Sequence, residues 1–112
     1  MKQFEIWTAA LPSLPDSHVQ QGYRPVLIVS NDIANRVSPV VTVIPLTSRN
    51  KKPLPTHVYL RDQGLQHDSI ALCESIMSLD KASLTTRIGY VYKPYDRLAI
   101  RHAICVQLGM AA

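Results

Sequence analysis

The sequence predicts a mainly β, α+β domain: a small, strongly curved antiparallel barrel with one helix at its C-terminal end. Three observations lead there. Two apolar runs, Val26-Leu27-Ile28-Val29 and Val40-Val41-Thr42-Val43-Ile44, are rich in β-branched residues and bounded by proline or polar turn residues. That is the pattern of strands buried on most of their surface. Four further short runs of strand composition are separated by turn residues, and a single segment near the end of the chain carries helix signals at both its ends. Six short strands and one helix can bury their apolar faces as a curved sheet that coils on itself.

The first strand is read at Phe4-Glu5-Ile6-Trp7-Thr8-Ala9 and is ended by Pro12 and Pro15, which lack the N–H that a sheet ladder needs. Residues 11–22 form a loop of the length that often binds or covers a site, and it delivers His18 and Gln20 just ahead of Arg24. After the first central strand, Asn31 caps one helical turn over 31–36, and Ser38-Pro39 opens the second central strand, which runs to Thr47. Residues 49–56 are an exposed loop, His57-Val58-Tyr59-Leu60 a short strand, and 69–79 one long core strand holding Cys73 and a single ionisable residue, Glu74. Glu74 there either pairs with a base or turns outward, or it points into a site. A one-turn helix begins at Asp80-Lys81-Ala82 and the last strand spans 87–92. Pro94 at the first turn, Asp96 near the positive end of the dipole and Gly109 beyond the last turn delimit a helix over 94–108. Its Ile100, Ile104 and Leu108 should form a stripe against the sheet.

The 112 residues make one domain, 1–112, large enough to bury roughly two thirds of its unfolded surface. No run approaches the ~18 apolar residues of a membrane span, and the N-terminus lacks the apolar core of a signal peptide, so a cytoplasmic protein is expected. Cys73 and Cys105 read as buried free thiols, and the histidines and cysteines have no zinc-type spacing, so neither a metal nor a cofactor is expected.

The net charge of +4 favours an anionic partner, and its distribution says more. Between Asp32 and Asp62 there is no acidic residue, whereas Arg36, Arg49, Lys51, Lys52 and Arg61 all lie there. If the two central strands pair antiparallel, Arg24 at the start of one meets Thr47 at the end of the other, beside this basic block.

Read together, these blocks resemble the MazF/PemK (Kid) family of toxin endoribonucleases from type II toxin–antitoxin modules. The likeness is carried by Glu5-Ile6-Trp7, by Gln20-x-Gly22-x-Arg24-Pro25-Val26 with Val29-Ser30-Asn31, and by Asn35-Arg36 with Ser38-Pro39. It continues through Pro45-Leu46-Thr47-Ser48, Leu54-Pro55-Thr56-His57-Val58, Ala71-Leu72-Cys73-Glu74, Asp80-Lys81 and Arg87-Ile88-Gly89. The resemblance implies an SH3-like barrel of the CcdB/PemK-like kind with a C-terminal helix. It also implies a homodimer that cleaves single-stranded RNA at short sequences without a metal. The 2′-hydroxyl attacks phosphorus, leaving a 2′,3′-cyclic phosphate and a 5′-hydroxyl. An antitoxin with an acidic, partly disordered segment is the implied protein partner.

That chemistry needs a fixed cation where phosphorane charge builds, and positioned groups that take and return a proton. By the family match Arg24 and Thr47 are catalytic, the hydroxyl acting by hydrogen bonding alone. His18 aligns with a catalytic histidine of the Kid branch, imidazole being the side chain that exchanges a proton near neutral pH; Glu74 aligns with a catalytic acid of that branch. Leu72 stands where the Kid branch has arginine and Val19 where many relatives have glutamate, which leaves open which group is base and which acid. Arg49, Lys51 and Lys52 are expected on RNA phosphates, and Gln20, Ser48, Glu74 and Ser75 on the edges of unstacked bases. The alternative function is a non-enzymatic, CcdB-like toxin that poisons DNA gyrase through protein contact; a third is an inactive RNA-binding barrel.

Overall fold

A computed structural model describes residues 1–12, 18 and 22–110. Among them the chain forms seven strands and two α-helices: β1 (Glu5–Leu11), β2 (Gly22–Ile28), α1 (Asp32–Val37), β3 (Val40–Thr47), β4 (His57–Leu60), β5 (Ser69–Leu72), β6 (Met77–Asp80), β7 (Leu84–Tyr90) and α2 (Pro94–Leu108). The strands make one antiparallel sheet in the order β4-β5-β3-β2-β1-β7, with β6 also paired to β3. The sheet is curved but unclosed.

β3 is the strand around which the others are placed. One of its edges pairs with β2 through Val26–Pro45, Leu27–Ile44 and Ile28–Val43. Its other edge pairs with β6 along Val40–Val43 and with β5 at Leu46 and Thr47. Here the sequence expectation needs correcting, because 69–79 is not one strand. It breaks into β5 and β6 around a 3₁₀ turn at Cys73–Ser75, and the pairing slips by three residues between Leu46–Ala71 and Val43–Met77. The break lies opposite Pro45. A proline in mid-strand has no N–H to give its neighbour, so the neighbouring strand gives up one hydrogen bond fewer by leaving the ladder there.

Alternation along the strands feeds two cores. Leu27, Ile44, Leu46, Val58, Leu60 and Ala71 turn to the face covered by α2, where they meet Ile100 and Ala103. Val26, Ile28, Val41 and Val43 turn to the opposite face, with Ala9, Leu11, Leu79 and Leu84. Burial on both faces is why these runs are continuously apolar rather than alternating. The helix stripe expected from spacing is only half right: Ile100 is buried and Ile104 partly so, but Leu108 is 51% exposed and small Ala103 takes the second contact. Gly109 ends α2 in the left-handed conformation (φ 67°), its N–H bonding the Val106 carbonyl while Met110 N–H bonds that of Cys105.

Local polar bonds fix the connection between the central strands. Asn31 Oδ1 accepts from Ala34 N–H at 2.9 Å, capping α1 as expected. Buried Asn35 donates to the Ser30 carbonyl at 2.8 Å, and Ser30 Oγ accepts from Thr42 N–H at 3.0 Å, tying α1 to β3. Cys73 is buried and Cys105 half-buried, both free, so the expectation of buried thiols holds fully only for Cys73. Among the described residues, no helix is long and apolar enough to cross a membrane.

Candidate active site

The site begins with strand register. The β2–β3 pairing ends at Val26–Pro45, and alternation along each strand puts Arg24 on the face of Val26 and Thr47 on the face of Pro45, so the two share one face of the sheet. Arg24 is paired on its other side with Ala9, and Thr47 with Ile70, which is itself paired with Tyr59. Ala9 and Arg24 form one pair on that face, and Thr47, Ile70 and Tyr59 form a row across β3, β5 and β4. β2 starts at Gly22, so Arg24 stands inside the strand rather than before it. A backbone in regular pairing holds a side chain in one direction far better than a loop does.

Thr47 is buried, 3% exposed, and its Oγ1 accepts from the backbone N–H of Arg49 at 3.2 Å. A hydroxyl has one hydrogen to donate and two lone pairs. With one lone pair used, its hydrogen is available to an oxygen arriving on the Arg24 side. Arg24 is half-buried. Just past Thr47, Ser48, Arg49, Lys51 and Lys52 are all exposed. This puts the basic loop beside the row, where its charges would meet a polyanion.

The other expected site residues lie as follows. His18 is exposed. Gln20 lies outside the described residues, as does most of the loop preceding Arg24. Glu74 sits in the 3₁₀ turn, at the opposite end of the β4–β5 ladder from the Tyr59–Ile70 pair. Its Oε1 accepts from Thr56 Oγ1 at 2.9 Å and its Oε2 from His57 Nε2 at 2.9 Å. Partial burial pushes its carboxyl up, but hydrogen bonds from its own backbone N–H, His57 and Thr56, with the His57 charge, outweigh this and hold it below the usual carboxylate range. Ser75, half-buried, shares the same turn.

His57 is the residue that sequence reading missed. Its side chain is 2% exposed and supplies the partner that a carboxylate in a core segment requires. The available signal was pattern: His57 begins a strand whose pairing with the Glu74 segment alternation alone could suggest. A cleft of about 740 Å³ lies at the other end of β1, where Glu5 is paired with Arg87 and bonded by Trp7 and Lys2. It is remote from the row.

A curved antiparallel sheet presenting an arginine and a threonine on one face, beside a basic loop, defines a scaffold suited to gripping a phosphodiester. Residues 2–108 match the family described as PemK-like, MazF-like toxin of type II toxin–antitoxin system, and the chain belongs to that family. It is 38% identical over 94 residues to Endoribonuclease EndoA of Bacillus subtilis, covering 81% of this chain and 80% of that one. It is 35% identical over 113 residues to Endoribonuclease MazF of Staphylococcus saprophyticus, covering 98% and 92%. Among solved structures it resembles a mycobacterial endoribonuclease in complex with its cognate antitoxin, with a TM-score of 0.81, 25% identity, and coverage of 100% of this chain and 98% of that one.

Proposed function

We propose that this toxin is an endoribonuclease that cuts single-stranded RNA at a short recognition sequence. The observation that carries the reading is the register that lines up Arg24 and Thr47 on one face. The 2′-oxygen forms a bond to the adjacent phosphorus and the bond from phosphorus to the 5′-oxygen breaks. The proton leaving the 2′-oxygen goes to a base, and another returns to the 5′-oxygen. No oxidant or metal is needed for the balance, and the products are a 2′,3′-cyclic phosphate and a 5′-hydroxyl.

In this reading Arg24 faces the phosphorane oxygens, where its charge stabilises the transition state more than the ground state. Thr47 donates its hydrogen to the same phosphate. His18, on the loop before β2, carries the proton, its imidazole being the side chain that exchanges one near neutral pH. Arg49, Lys51 and Lys52 neutralise flanking phosphates, and Gln20, Ser48 and Ser75 contact bases. Glu74 takes a supporting part, since its oxygens are engaged by Thr56 and His57. The enzyme works as a cytoplasmic homodimer held in check by an antitoxin whose acidic segment covers the basic face. Complex formation by the mycobacterial relative supports that last point.

The names of the two relatives favour RNA cleavage over gyrase poisoning. The test is incubation of the purified protein with a long single-stranded RNA in EDTA, followed by sequencing of the 5′-hydroxyl ends. Wild type should give ends at one short motif, and Arg24→Ala should give none while melting like wild type. Undiminished cleavage by Arg24→Ala would falsify the assignment.

A further inference from the structure

The row that begins at Thr47 crosses two further strands. It runs through Ile70 to Tyr59, a residue 48% exposed that offers its ring to a ligand. Beside it lies a cleft of about 250 Å³, lined among others by Ser48, Arg49, Tyr59, Arg61, Asp68 and Ile70. This is below the ~300–1,000 Å³ of sites that enclose drug-sized ligands, which suits a single nucleobase. Two strand spacings separate Tyr59 from Thr47, about 9–10 Å, so what sits on Tyr59 is a neighbour of the reacting nucleotide and not that nucleotide itself.

The chemistry of the cleft is mixed in a particular way. Arg49 and Arg61 supply cations for a phosphate, and Tyr59 supplies a stacking surface. Asp68 is exposed and makes no ion pair among the described residues. An acid that served only to balance charge here would be expected to pair with one of the two arginines. A carboxylate presents two acceptors side by side. Guanine is the base whose Watson–Crick edge offers two adjacent donors, N1–H and N2–H.

We propose that Tyr59, Asp68, Arg49 and Arg61 form a base-reading subsite for guanine one or two nucleotides from the cut. It rests on the RNA reading above and adds the residues that set part of its sequence preference. Tyr59 stacks on the base, the arginines hold its phosphate, and Asp68 accepts from its edge.

The test is binding of a randomised pool of single-stranded hexanucleotides made uncleavable by 2′-fluoro sugars, with the retained sequences read out. Wild type should enrich guanine at one position. Asp68→Asn keeps the shape of the side chain and should reduce that enrichment about ten-fold, leaving the other positions as they were. Tyr59→Ala should weaken retention about ten-fold, and Tyr59→Phe should restore it because the ring remains. The subsite is overturned if wild type enriches no guanine, if Asp68→Asn keeps the enrichment, or if Tyr59→Ala binds like wild type. Guanine-dependent retention without any cleavage of natural RNA would leave the subsite standing and remove the nuclease. Specific cleavage unaffected by these substitutions would do the reverse.

Discussion

The hydroxyl of Thr47 accepts a hydrogen bond from the backbone N–H of Arg49 at 3.2 Å, which fixes the rotor and frees its own hydrogen for another acceptor. Thr47→Ser keeps that bond and should retain most of the RNA-cleaving rate. Thr47→Val keeps the volume and loses the hydroxyl. It should lower the rate about 10²- to 10³-fold, the cost of removing one donor from a developing oxyanion. Thermal melting of both variants with single-turnover rates checks this, and equal rates for Val and Ser would remove the hydroxyl from the mechanism.

His18 is exposed. If it moves the proton, His18→Ala should reduce the rate and flatten its dependence on pH between about 5 and 8. His18→Gln, which can bond but not titrate there, should behave like Ala. A pH profile identical to wild type assigns His18 to binding.

Glu74 lets the sign of a pH effect be worked out. Against partial burial, hydrogen bonds from its own backbone N–H, His57 and Thr56 hold its folded carboxyl below the ordinary glutamate range, so it contributes stability above the unfolded value, and this contribution is lost as pH falls through the folded one. Glu74→Gln should therefore melt below wild type at pH 7, and the two should converge as pH falls through the folded value. If Glu74 only supports the turn, cleavage of the folded variant should stay within a few-fold of wild type, a small change beside the ~10²-fold or more of an acid–base group. A larger loss with an intact melt would return it to the chemistry.

The two thiols should differ in reactivity. Burial, with the negative charge of Glu74 adding to it, pushes Cys73 up to about 12, so it is a neutral thiol at any working pH. Iodoacetamide at pH 8 followed by peptide mass analysis should label half-buried Cys105 and spare Cys73 in the native protein, and label both in denaturant. Native labelling of Cys73 at an equal rate would mean that the β5–β6 turn opens readily.

Much of this architecture is legible in the sequence because the signals are local. Asn31 caps α1, Pro94 and Gly109 bracket α2, and the two apolar runs are central strands. That Arg24 and Thr47 share a face could be anticipated from the antiparallel pairing of β2 with β3 and the alternation of side chains along each. The broken strand at Cys73–Ser75 was not legible from its own composition, since 69–79 is apolar throughout. Its cause is Pro45, which lies across the sheet. Leu108 fits a four-residue repeat yet lies in solvent, because the helix outruns the sheet it packs on. The role of Glu74 depends on His57 and Thr56, seventeen and eighteen residues earlier, and no local pattern announces such a meeting.

Pro45 has one more effect. Displacing β3 by a single residue against its neighbours would turn every side chain it carries to the other face, and would set the proline ring where a partner carbonyl waits for an N–H. Mis-threaded copies of this sheet are thus both less stable and stripped of the Arg24–Thr47 alignment. For a protein whose activity endangers the cell that makes it, the capacity to do harm arrives only with correct assembly.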